Sequence, residues 1–209
     1  MTADDARHRF DAATSRHLTA PLAEGIAIRA VGPEGWTALT ASLWTGGGAR
    51  PGVSLEPLMP PGYAERASDL AAVIGPLLAH RLVFERGDEL VGAFFGQQDT
   101  YGRYEMTQSV IHPAWRGRGL YGALLPRVVA AARDAGFREV VSRHRADNNS
   151  ILVPKLRAGF VISGFDISPR WGLLVHLRRY LVDDLAQMHA YRVDGAEREA
   201  LVARGVKLP

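Results

Sequence analysis

Residues 104–125, YEMTQSVIHPAWRGRGLYGALL, change pattern twice along their length. Met106, Gln108 and Val110 alternate with Glu105, Thr107, Ser109 and Ile111, the period of a strand with two unlike faces. Pro113 has no N–H to donate and stops the ladder. Arg116-Gly117-Arg118-Gly119 then turns the chain into an apolar helix. Glycines let the backbone turn tightly and approach a ligand, and the first amides of a helix lack intrahelical partners and carry partial positive charge. Such a turn suits an anion, most naturally a pyrophosphate, and two guanidinium forks beside it strengthen that expectation.

Three readings fit the turn. Gly117, Gly119 and Gly122 form G-x-G-x-x-G, the dinucleotide fingerprint, with Asp147 as its ribose-binding acid. That fingerprint wants its first glycine directly at the strand end, whereas HPAWR intervenes here. An ordinary surface turn with solvated arginines is the second reading. The third takes in more of the chain. Arg116-x-x-Gly119 after Val110-Ile111-His112-Pro113, followed by Asn148-Asn149-Ser150, a short apolar run and Lys155-Leu156-Arg157-Ala158-Gly159-Phe160, resembles the GCN5-related N-acetyltransferases in order and spacing. The resemblance covers roughly residues 80–165, with a looser echo back to Ile26.

It implies an α/β (α+β) fold, a single domain with a mixed, mostly antiparallel sheet of six or seven strands flanked by helices, and a cofactor wedged where two central strands separate. Residues 26–180 would be the acetyltransferase domain, 1–25 an accessory arm or helix and 181–209 a helical extension. The implied donor is acetyl-CoA, with no metal. Its pyrophosphate would lie on the amides of Gly117, Arg118, Gly119, Leu120, Tyr121 and Gly122 beside Arg116, and its pantetheine arm along the backbone of Val110 and Ile111, with Asn148 and Lys155 nearby. An N–H of this strand aimed at the thioester carbonyl would stabilise the charge that grows there on attack by an amine. Glu105 sits where histone-type members carry their base; as a plain strand residue it would be a salt-bridged glutamate. Asn148 would touch the pantetheine arm or cap the next helix.

The chain departs from the family pattern twice. Tyr121 takes the place of the second small residue, which moves to Gly122. Lys155 stands where many members have the tyrosine that protonates the departing thiolate, so Lys155 and Tyr121 become the candidate acids. The expected activity is direct transfer of an acetyl group to a primary amine of a small molecule or a protein. A catalytically silent acyl-CoA-binding module is the alternative, and a dinucleotide-binding oxidoreductase the third.

The bulk properties agree with one well-filled domain: 209 residues, 47% hydrophobic and 22% charged. The absence of cysteine removes disulfides, thiolate zinc sites and cysteine nucleophiles. Twenty-five basic residues, all arginine except Lys155 and Lys207, are interspersed with 22 acids, and the net charge is +3. No basic block marks a nucleic-acid surface, and no histidine, aspartate or glutamate grouping has metal-ligand spacing. No apolar run approaches the length of a membrane span, so we expect a cytoplasmic protein without signal peptide or membrane contact.

Elsewhere, 26–31 reads as a strand and 33–44 as a helix. The stretch 45–63 is a long Gly/Pro-rich loop; the resemblance implies that it lies on the acceptor side, where Glu56, Met59 and Tyr63 would shape the site. Ser68 is the expected cap of a short helix, 82–85 and 90–96 form a hairpin, and Pro126 should loosen the helix after the turn. Two strands follow at 161–167 and 172–180. Leu181, Leu185 and Met188 then mark a helical stripe, and Asp194 with Glu197 a capping box. The tail helices would cover a sheet edge or serve a homodimer interface.

Overall fold

The computed structural model describes residues 2–23, 25–45, 54–99 and 102–208. Seven strands form one sheet: β1 (Ala27–Ala30), β2 (Ala79–Arg86), β3 (Glu89–Gln98), β4 (Tyr104–Ile111), β5 (Glu139–Arg145), β6 (Val161–Ser168) and β7 (Gly172–Tyr180), in the order β1-β2-β3-β4-β5-β7-β6. Every neighbouring pair is antiparallel except β4 with β5. A parallel partner needs a crossover, and helix α4 (Leu120–Ala135) supplies it. The other helices are α1 (Ala3–His17), α2 (Pro33–Thr45), α3 (Tyr63–Ile74), α5 (Asn149–Arg157), α6 (Asp183–Asp194) and α7 (Arg198–Ala203).

The two faces of the sheet bury different cores. On one, Phe84, Phe94, Tyr104, Met106, Val140 and Leu177 pack with Phe10 of α1, Leu124 and Val128 of α4 and Leu152 of α5. Each large side chain removed from water there contributes about 1.5–3 kcal/mol. On the other face, a smaller cluster joins Leu43 of α2 to Val83, Ala93 and Val110. Phe10, Ala13 and Leu18 are buried, and α1 is tied to α4 by Arg16 and His17 on Asp134 at 2.7 and 2.8 Å. The start of α1 carries a capping box that the sequence reading missed: Asp5 N–H donates to Thr2 Oγ1 at 3.2 Å and Thr2 N–H to Asp5 Oδ2 at 2.8 Å.

Two local expectations are corrected. Helix α3 starts at Tyr63 rather than Ser68, because Gly62 in the left-handed region (φ 70°) turns Pro60-Pro61 directly into it. Asp194 closes α6 and accepts from Ala196 N–H at 2.9 Å, while Glu197 precedes α7 without any side-chain cap, so the two acids form no capping box. Helix α4 runs through Pro126, an exposed position, without a break. The glycine-rich part of the expected acceptor-side loop, 46–53, lies outside the described residues.

The alternation in β4 also fails, and its failure positions the site. Phe95 is level with Gln108 but Gly96 with Met106, so Thr107 is an extra residue, a β-bulge. One inserted residue exchanges the faces of everything beyond it. Glu105, Gln108 and Val110 therefore share the α2 face, and Met106 shares the α4 face with Ser109 and Ile111. The parallel ladder to β5 covers only Tyr104 opposite Val140 and Glu105 opposite Val141. From Met106 onward the two central strands part.

Candidate functional site

The opening between β4 and β5 leads to the turn of residues 116–119 and the N-terminus of α4. Gly117 and Gly119 both have positive φ, 76° and 74°, a conformation that costs a side-chain-bearing residue about 1–2 kcal/mol. No side chain caps the helix. The amides of Leu120, Tyr121 and Gly122 belong to its first turn and have no carbonyl four residues back within it. A Cβ added at Gly117, Gly119 or Gly122 would meet no heavy atom within 4 Å. These positions form a cradle of backbone, open where side chains would otherwise stand, and its partial positive charge fits an anion.

The two arginines of the turn fold back on it. Arg116 Nε donates to the Ile111 carbonyl at 3.0 Å. Arg118 lies over the Trp115 ring, 4.5 Å from its centroid, and Trp115 Nε1 donates to Glu89 at 2.6 Å. Tyr121 turns toward the main core, its hydroxyl buried without a hydrogen-bond partner and its pKa pushed up by burial. It therefore stays clear of the cradle.

On the α4 face of the opening, Lys155 of α5 is completely buried. Its Nζ donates to Ser142 Oγ on β5 at 2.7 Å, lies 3.5 Å from Met106 Sδ on β4 and stands 5.0 Å from the Phe160 ring centroid. One ammonium thus bridges the two strands where they separate. Among the described residues no carboxylate accompanies it there, and burial lowers its pKa to about 7. Ser142 Oγ is also 3.1 Å from His144 Nε2. Burial and the Lys155 charge depress the His144 pKa to about 3. The sequence signal for this lysine was its spacing from Asn148; Ser142 and His144 carried none.

Asn148 occupies the position before α5, yet its side chain caps nothing: Oδ1 accepts from Ser150 Oγ at 2.7 Å. Glu105 faces the opposite side of the sheet and accepts from Arg143 Nη2 at 3.1 Å. The sheet thus separates the two candidate proton carriers, with Glu105 on the α2 face and Lys155 on the α4 face. The carboxylate of Asp147, the ribose-binding acid of the dinucleotide reading, is held by Arg145 at 2.8 Å. Behind the site, Tyr104 O–H donates to His80 Nδ1 at 2.7 Å. Thr14 Oγ1 gives its proton to the Phe10 carbonyl at 2.8 Å and so accepts from His80 Nε2–H at 2.7 Å. His80 is therefore neutral, its pKa lowered by burial to about 4.

Comparison with known proteins follows the same lines. The model of the acetyltransferase (GNAT) family matches residues 55–160, just over half of the chain. Among solved structures, the chain is similar to a GNAT-family protein from Desulfovibrio desulfuricans, at 18% identity over 75% of this chain and 99% of that one, TM-score 0.52. It is also similar to the spermidine/spermine N-acetyltransferase SpeG from Vibrio cholerae, at 17% identity over 79% and 98%, TM-score 0.53. A third is the yncA protein from Salmonella typhimurium with its cofactor acetyl-CoA, at 18% identity over 75% and 94%, TM-score 0.51. Identities this low speak for the fold alone. No curated protein matches the chain in sequence.

Proposed function

The chain belongs to the acetyltransferase (GNAT) family and is by that membership an acyltransferase; from this premise we propose that it moves an acetyl group from acetyl-CoA directly to a primary amine. The observation that carries the reading is the uncapped start of α4, with Gly117, Gly119 and Gly122 bare, set beyond the end of a β4 strand that β5 no longer covers from Met106 onward. The amides of 117–122 would hold the pyrophosphate, with Arg116 and Arg118 supporting the turn. The edge of β4 at Val110 and Ile111 that β5 leaves uncovered would hold the pantetheine arm, with Asn148 and Lys155 beside it. Acetyl-CoA supplies the activated acyl group, and the protein supplies placement and proton movements.

An alkylamine reaches neutral solution protonated, and Glu105 takes that proton, directly or through a water. Lys155 serves as the acid. A lysine titrating near 7 is a stronger acid than an ordinary thiol, near 8.5, so giving its proton to a departing thiolate runs downhill. A lysine at its usual 10.5 would resist that transfer; burial is what makes the substitution for tyrosine workable. Ser142 fixes Nζ at the strand opening. Tyr121, with its hydroxyl pKa raised, is the weaker candidate.

The test is a calorimetric titration with acetyl-CoA, followed by CoA-thiol release in the presence of amines. Saturable binding, weakened at least tenfold in Gly122→Val, is expected, with NADH inert. Failure to bind acetyl-CoA overturns the donor site. Binding without thiol release from any amine leaves an acyl-CoA-binding module instead.

A further inference from the structure

The face of the sheet that carries Glu105 holds a cavity of about 290 Å³ whose walls include Asp99, Arg103, Glu105, Arg143 and Arg178. Its carboxylates are already matched with cations. Arg103 Nε donates to Asp99 Oδ2 at 2.5 Å and Arg143 Nη2 to Glu105 at 3.1 Å. A third carboxylate, Glu139, sits just behind with Arg178 Nη1 at 3.1 Å and Arg103 Nε at 3.9 Å. With Glu139 counted, three guanidinium groups meet three carboxylates, and the wall itself carries all three cations but only two of the acids. An acceptor with several positive charges would have to displace these arginines without finding an unmatched acid.

The sheet register gives the cavity a direction. Glu105 is level with Val141, and Val141 with Arg178, so the three form a row across β4, β5 and β7. With strands about 4.8 Å apart, Glu105 and Arg178 stand roughly 10 Å apart at their Cα atoms, with a valine as floor between them. Arg143, level with His176, is the diagonal neighbour of Arg178 on the same face. Among the described residues, Arg178 Nε is a buried donor without a hydrogen-bond partner. A proton acceptor, Glu105 with Arg143 on it, therefore lies at one end of the row and the Arg178 guanidinium, a group that holds oxyanions in pairs, at the other.

Resting on the acetyl-transfer reading above, we propose that the acceptor is a small amine that also bears an anionic group, a carboxylate or a phosphonate, and is not a polyamine. Its amine meets Glu105, and Arg178 holds its anion. The ammonium first gives one proton to Glu105, the amine nitrogen then forms the new bond to the acetyl carbon, the carbon–sulfur bond breaks and the thiolate takes a proton from Lys155. The second proton that the nitrogen sheds on becoming an amide goes through water to recharge Lys155, and Glu105 releases its own to solvent.

The experiment measures thiol release with acetyl-CoA and matched acceptors: leucine against 3-methylbutylamine, which lacks only the carboxylate, together with 2-aminoethylphosphonate and spermidine. The expected result is a kcat/KM at least tenfold higher for the acid-bearing member of the pair. Arg178→Gln should narrow that ratio to about threefold by raising KM for leucine, with acetyl-CoA affinity unchanged. The relative rate of the aminophosphonate tells a carboxylate-specific fork from a general anion site. Equal or better turnover of 3-methylbutylamine or spermidine overturns the acceptor assignment and leaves acetyl transfer standing. Acetyl-CoA binding with no release from any acceptor overturns both. The wild-type comparison decides the matter even if Arg178→Gln fails to fold.

Discussion

Replacing Lys155 with methionine should make the protein more stable and much less active, a pairing that few substitutions produce. The side chain is fully buried, and its pKa falls from 10.5 to about 7 because burial penalises the charged form. The folded pKa lies below the unfolded one, so between pH 7 and 10.5 the unfolded chain binds the extra proton and stability rises with pH. Below pH 7 the cost is complete, about 5 kcal/mol at about 1.4 kcal/mol per pH unit. Methionine nearly matches lysine in length and removes the charge. Against the gain stand the lost bond to Ser142, about 1–3 kcal/mol, and imperfect packing, under about 1.5 kcal/mol. The net expectation at pH 7 is about 0.5–4 kcal/mol in favour of the variant, a rise in Tm. Urea denaturation at pH 7, 8.5 and 10 should show the wild type gaining stability with pH and Lys155→Met lacking that increment. Turnover should fall by about 10²–10⁴, the usual worth of a positioned acid. A variant less stable than wild type at pH 7, with the pH slope intact, would refute the buried-cation argument; turnover within twofold of wild type would refute the role as acid.

Other outcomes follow from neighbouring contacts. Ser142→Ala leaves Lys155 with only the Met106 thioether as hydrogen-bond partner, so the basic limb of the kcat profile should move further below pH 7 and kcat should drop; an unchanged profile would show that Ser142 does not position the lysine. Tyr104→Phe strips the partner from buried His80 Nδ1 and should cost about 1–3 kcal/mol in thermal denaturation, with acetyl-CoA affinity kept. His80 itself has a folded pKa of about 4 against 6.5 unfolded, so stability should decline as pH falls through that window, by up to about 3 kcal/mol at pH 4, and His80→Gln should flatten the decline. Deleting Thr107 restores strict alternation in β4 and should abolish acetyl-CoA binding even if the chain still folds, which calorimetry and circular dichroism together will show.

The chain's strands were legible because their signals are local. The hairpin around Gly87, the glycine turn at 116–119 and the Gly159-Phe160 entry into β6 each announce themselves in a few residues. The bulge at Thr107 was not legible, since nothing in YEMTQSVI distinguishes an inserted residue from a regular strand; only the register against Phe95 and Gly96 does. Gly96 has its own tertiary reason, for a Cβ there would fall 2.4 Å from the Tyr104 hydroxyl oxygen. Asp194 and Glu197 had the spacing of a capping box but the chain turns at Gly195, so spacing without geometry misled. At the candidate site, the cradle and Lys155 came from motif order, whereas Ser142, His144 and the Arg178 row depend on pairing between distant strands that no single stretch encodes.

The placement of Lys155 argues for use over structure. Packing alone at the mouth of the β4–β5 opening would be met by leucine or methionine, and a buried cation with no carboxylate beside it is a cost the fold could avoid. The same burial that makes the lysine expensive brings its titration close to neutrality, where a proton carrier works best. The bulge completes the arrangement: by exchanging faces at Thr107 it leaves Glu105 on the side of the arginine-lined cavity and Met106 on the side of Lys155. Under the proposed function an amine would surrender its proton on one face of the sheet while a thiolate gains one on the other, and the sheet itself keeps the two carriers from neutralising each other.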